Sequence, residues 1–161
     1  MIVTGRAVKR HAQVQGYVVY YGNHCVKTYS STQASIALSS AEAEYYALVK
    51  AGSVALGLKA MYGDLGVPVQ TIDLHTDASG AKGIALRRGL GKLRHVDVHL
   101  LWLQEKTKSG EIILRKVAGT LNPADVLTKH VPQDVLQRHL HALCLSFTTG
   151  RAAAAPHALI V

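Results

Sequence analysis

The apolar pattern changes period several times along the chain, and each change marks an element. Residues 16–21 and 24–30 are rich in β-formers (Tyr17, Val18, Val19 and Tyr20, then Val26, Thr28 and Tyr29), and Gly22-Asn23 between them is a two-residue hairpin signal. From Ala41 to Tyr62 helix-forming residues take over, with Gly63 or Gly66 as the stop. After Pro68 the alternation of Ile72, Leu74 and Thr76 with Asp73, His75 and Asp77 predicts a strand over 69–76. Small residues at 78–86 predict a short helix, and 87–94 reads as a basic loop. Val98, Leu101 and Trp102 repeat at helical spacing within 95–108, and Ser109-Gly110 stops them. Residues 111–117 predict another strand. Asn122-Pro123 opens a further helix with an N-cap and a proline at its first position, and 133–145 is a last amphipathic segment.

Residues 1–15 show no sustained period and read as an irregular basic N-terminus. Strands alternating with helices after an antiparallel start predict an α/β fold, a mixed sheet with helices on its faces, over residues 16–145. The Ala-rich run of 146–161 reads as a disordered tail.

The stretch Ser39-Ser40-Ala41-Glu42-Ala43-Glu44-Tyr45-Tyr46 starts the long helix. Ser39 and Glu42 have capping-box spacing, which gives Glu42 a structural task. Glu44 lies about 200° round the helix from Glu42, so the two acids cannot share a site. It falls instead on the side of Leu48 and Ala51, where a carboxylate is costly unless it is paired, hydrogen-bonded or metal-bound. Two more acids sit at element ends, Asp77 after a strand and Asp125 in the first turn of a helix. Each alone has a plain reading as a cap or a dipole partner. Together they can converge where strand ends gather in an open α/β sheet, and carboxylate oxygens select Mg²⁺ or Mn²⁺.

Charge narrows the partner. Eighteen Lys and Arg against ten Asp and Glu give +8 over 161 residues, which points to a polyanion such as nucleic acid. Arg87, Arg88, Lys92 and Arg94 cluster as candidate phosphate contacts. Cys25 and Cys144 form neither a disulfide framework nor a zinc cluster by spacing. No apolar run approaches the roughly 20 residues of a membrane span, so a soluble, intracellular protein of cytoplasm or nucleus is expected. His95 and His99 have the i, i+4 spacing of zinc ligands without a third ligand, and Ser39 and Ser40 lack a paired histidine for a hydrolase triad.

Four segments in register, Ser39 to Leu48, Asp77-Ala78-Ser79, Arg94-His95-Val96-Asp97-Val98 and Ala124-Asp125-Val126-Leu127-Thr128-Lys129, resemble the ribonuclease H domain of copia-type retrotransposon Pol polyproteins. The resemblance covers about residues 15–132. It implies the ribonuclease H-like fold, a five-stranded mixed sheet with flanking helices, in a domain that follows a reverse transcriptase. It also implies hydrolysis of the RNA strand of an RNA–DNA hybrid with two divalent metals, Mg²⁺ or Mn²⁺, and places metal-binding and catalytic roles on Glu44, Asp77 and Asp125.

One departure bears on activity. The family's first strand carries a fourth carboxylate, in an Asp-x-Asp-Trp-Ala-Gly type motif, whereas no Asp or Glu occurs here before Glu42. The first strand is therefore expected to be missing or degenerate, as in an N-terminally truncated domain. At most one metal is expected to bind well, and the chain is expected to be inactive or nearly so. The alternatives are a non-catalytic nucleic-acid-binding remnant and a structural domain of a reverse transcriptase polyprotein.

Overall fold

A central strand, β1 (Ile2–Lys9), runs where the sequence pattern shows none. The computed structural model describes residues 1–9, 12–34, 36–89, 91 and 98–145, with the main chain alone at 6–9 and 12. β1 pairs antiparallel with β2 (Ala12–Tyr21), and β2 pairs with β3 (His24–Thr32) across the Gly22-Asn23 turn. On its other side β1 runs parallel to β4 (Ile72–Thr76), which is parallel in turn to β5 (Ile112–Lys116). The sheet order is β3-β2-β1-β4-β5.

Within the segment 1–15, expected to be irregular, residues 2–9 form β1 and 12–15 begin β2. The alternation that would reveal a half-exposed strand is missing because β1 is covered on both faces, and residues 2–5 are all buried. The first strand, expected to be missing or degenerate, is present at the centre of the sheet, and what it lacks is an acid. Ile2 belongs to the larger core beside Tyr45, Leu48, Leu74, Leu103 and Ile112, under the long helix α1 (Ser40–Asp64). Val3 belongs to the second, smaller core with Val18, Tyr20, Ala124 and Leu143. That core lies under a 3-10 segment, Pro123–Leu127, and the last helix, here named α4 once the two short helices are counted.

Those two are α2 (Ser79–Leu86) and α3 (Trp102–Lys108), and α4 spans Gln133–Ala142. A 3-10 turn, Val98–Leu101, leads into α3, and a second, Gly119–Leu121, precedes the Asn122 cap. Where the sequence predicts a helix after Asn122, five residues of 3-10 helix form instead, with Asn122 Oδ1 accepting from Ala124 N at 3.1 Å. The chain at 146–161 and the start of the segment expected as helix at 95–108 lie outside the described residues.

Candidate active site

The first acid is positioned by a cap built as its spacing predicts, with one change of partner. Ser39 Oγ accepts from Glu42 N at 3.2 Å, while Glu42 Oε2 accepts from Leu38 N at 3.0 Å rather than from the cap residue itself. Tyr46 Oη donates to Glu42 Oε1 at 2.5 Å, so the fully buried Glu42 carboxylate is committed to holding the start of α1. Glu44, half-buried, emerges on the other side.

The second acid follows β4. Thr76 is fully buried, and its hydroxyl accepts from Ala78 N at 3.1 Å, which turns the chain from β4 into α2 and leaves Asp77 at the bend. Gly80 lets α2 approach α1 closely, since a Cβ there would lie 2.7 Å from Ala41 Cβ. Glu44 and Asp77 consequently line one cleft of about 310 Å³ with Ser40, Ala41, Ala78 and Gly80. Lys116 at the end of β5 donates to Ser79 Oγ at 2.6 Å, just beyond Asp77.

The third acid is fixed by a buried amide. Asn122 Nδ2 donates to Thr4 O on β1 at 2.7 Å, which ties the Pro123–Leu127 segment to the middle of the sheet. Burial raises the pKa of Asp125; Lys129 opposes this, the nearby charge of Asp77 adds to it, and His139 from α4 opposes it. Lys129 Nζ lies 2.9 Å from Asp125 Oδ1. His139 is itself buried, and that burial lowers its pKa against the pull of Asp125.

The acids are therefore neighbours in pairs, Glu44 with Asp77 across the cleft and Asp77 with Asp125 by charge. As oxygen donors they have the right chemistry for a hard divalent cation. Their arrangement falls short of one: among the described residues no three acid, histidine or cysteine side chains come close enough to hold a metal. Asp125 Oδ1 is already committed to Lys129. β1, where the resemblance implies a further carboxylate, presents Gly5 to Asp125. Nor is there a group of zinc ligands around His99 among the described residues.

Arg87 and Arg88 follow α2 and border a groove of about 720 Å³ that also takes in His99, Trp102 and Lys108. Lys92, Arg94 and His95 lie outside the described residues. The basic turn is held by Gln104, a residue that the sequence pattern does not single out. Its Oε1 accepts from Gly89 N at 2.8 Å, and its Nε2 donates to Ile84 O and Gly89 O at 2.9 and 3.1 Å. From the other side Tyr45 Oη donates to Leu100 O at 2.7 Å and pins the Val98–Leu101 turn to α1. Lys129 is the other unforeseen member of the site; its i, i+4 spacing from Asp125 is the signal that could have found it.

A five-stranded mixed sheet in this order, with helices on both faces and acids on α1, after β4 and on the last 3-10 segment, defines a ribonuclease H-like domain. The fold matches the N-terminal RNase H domain of a Mycobacterium tuberculosis protein, solved as a fusion with maltose-binding protein, with a TM-score of 0.51 and 14% identity over 88% of this chain and 95% of that one. In sequence the chain is similar to the retrovirus-related Pol polyprotein from transposon TNT 1-94 of Nicotiana tabacum, with 28% identity over 120 residues, 74% of the chain. It is also similar to the Pol polyprotein from transposon RE1 of Arabidopsis thaliana, with 23% identity over 129 residues, 79% of the chain. It spans about 9% of the length of each of these relatives. No protein-family profile matches it. Fold and sequence agree on a ribonuclease H-like domain of the kind carried by copia-type Pol polyproteins. Among the described residues no helix is long and apolar enough to cross a membrane.

Proposed function

We propose that this domain binds RNA–DNA hybrid beside the reverse transcriptase region of a Pol polyprotein, in an intracellular setting, and that as a nuclease it is inactive or nearly so. The observation that carries the reading is Gly5. A two-metal hydrolysis needs enough carboxylates to hold both ions while positions stay open for water and the scissile phosphate, and the strand beside Asp77 and Asp125 offers a hydrogen atom in place of a side chain. Glu44, Asp77 and Asp125 are the acids that would face a metal or the hybrid backbone, and their pairwise arrangement supports no step through a metal pair. The exposed Arg88 and the partly buried Arg87 have the charge to take phosphates, with Lys92 and Arg94 added from the sequence. Such contacts position a duplex without reading its sequence. Shape and 2′-hydroxyl contacts would then separate hybrid from DNA.

The test uses a labelled RNA–DNA hybrid in two arms. Binding in EDTA, tighter than to DNA duplex of the same sequence, is expected. No cleavage of the RNA strand above the buffer rate is expected in Mg²⁺ or Mn²⁺. Metal-dependent cleavage removable by Asp125→Asn would replace this reading with that of an active hybrid ribonuclease. A folded chain that does not bind hybrid would leave only a structural role beside the reverse transcriptase.

A further inference from the structure

The Asp125–Lys129 contact is more than a pair of long side chains meeting on a helix surface. Asp125 retains only 14% side-chain exposure, and the turn that delivers Lys129 is itself built in. Lys129 N donates to Asp125 O at 2.8 Å, and Thr128 Oγ1 donates to Asp125 O at 3.3 Å. The methyl of the buried Thr128 is seated against Gly16, where a Cβ would lie only 2.7 Å from it. Gly16 is the cross-strand partner of Gly5. The two glycines make a flat seat on the sheet, and the segment carrying both Asp125 and Lys129 rests on it. Asp125 Oδ1, the oxygen bound by Lys129, is also the atom 3.0 Å from the point where a Gly5 Cβ would stand.

We propose that Lys129 is the resident cation of the acid cluster: its ammonium holds the Asp125 oxygen that faces Gly5, and so balances the cluster in place of a divalent ion. Asp77 and Asp125 sit close enough to repel, and the positive charge of Lys129, 41% exposed but at hydrogen-bond distance from the mostly buried Asp125, relieves that repulsion. A divalent ion must displace the ammonium to reach Asp125 Oδ1, and the i, i+4 turn keeps the lysine beside that oxygen.

The test is Mn²⁺ binding to the whole chain without nucleic acid, by calorimetry and by the free Mn²⁺ resonance signal. Its failure is thereby distinguishable from failure of hybrid binding. Wild-type chain and Lys129→Arg are expected to bind weakly. Lys129→Gln, which keeps two of the four methylenes and removes the charge, is expected to bind at least about tenfold tighter and to gain a Mn²⁺-dependent rise in melting temperature. Adding Asp77→Asn to that variant should erase the gain. Lys129→Met is a second neutral replacement should Lys129→Gln fail to fold, with folding judged by circular dichroism. Wild type binding as tightly as the neutral variants, a folded neutral variant with no gain, or a gain that survives Asp77→Asn would each overturn the proposal.

Discussion

A Cβ on Gly5 would lie 3.0 Å from Asp125 Oδ1 and 3.0 Å from the main-chain carbon of Ala124. The 3-10 segment has settled onto β1 through the space that a side chain would need. The hydrogen bond from Asn122 Nδ2 to Thr4 O, 2.7 Å long, holds it there.

Substitution at Gly5 should therefore be costly. Gly5→Ala is expected to destabilise the fold by about 1–3 kcal/mol, the usual cost of overpacking. Gly57→Ala, in the exposed interior of α1 with nothing within 4 Å of its Cβ, should stabilise by about 1 kcal/mol. Urea denaturation of the two variants gives the comparison. Gly5→Asp should be destabilised too and, because the segment must first move away, should not by itself create a hybrid-cutting enzyme. Equal stabilities for Gly5→Ala and wild type would mean that the contact is looser than described.

The two glutamates of α1 should separate cleanly. Glu42→Ala removes the acceptor for Leu38 N and Tyr46 Oη from a fully buried position. A loss of about 2–4 kcal/mol is expected, more than a surface cap is worth, because two donors are left unmet. Glu44→Gln, in the cleft with Asp77, should cost much less. Chemical denaturation in metal-free buffer checks the order, and a larger loss for Glu44→Gln would reverse the structural and functional assignments.

Asp125 should cost stability at neutral pH. Burial, ahead of the opposing Lys129, raises its folded-state pKa above the ordinary 3.8, with Asp77 adding to the rise and His139 opposing it. A carboxyl raised on folding contributes its stability below 3.8, where it is protonated in both states, and loses it as pH rises through the folded value. Asp125→Asn should then be more stable than wild type at pH 7, with the difference shrinking to nothing below the ordinary carboxyl range. Urea midpoints across pH decide it. A destabilised Asn variant at pH 7 would show that the Lys129 pair outweighs burial.

Hybrid binding should be salt-dependent and should depend on the turn after α2. Arg87→Glu with Arg88→Glu is expected to flatten the slope of log affinity against log salt by about 0.7–0.9 for each phosphate that is no longer neutralised. Gln104→Leu should weaken binding without touching a charge, because the hydrogen bonds to Gly89 and Ile84 that shape the turn are gone. Fluorescence anisotropy at several salt concentrations measures both. An unchanged slope in the double Arg variant would move the interface elsewhere.

The sequence by itself determined the elements with a clear period or a clear stop. These are the hairpin at Gly22-Asn23, the capped helix from Ser40, the strand ending at Thr76 and the Asn122 cap. In each, local chemistry and the environment of one face agree, so the signal survives in the linear pattern. Tertiary structure alone decided β1, since a strand buried on both faces has no alternation to read. It also decided that Glu44 meets Asp77 across Gly80 and Ala41, and that Asp125 is bound by Lys129 over a Gly5–Gly16 seat. These contacts join segments as distant as residues 5 and 125, and their closeness depends on side chains that are absent. A missing Cβ is recorded in the sequence only as a glycine, and its consequence exists only where another segment comes to fill the space.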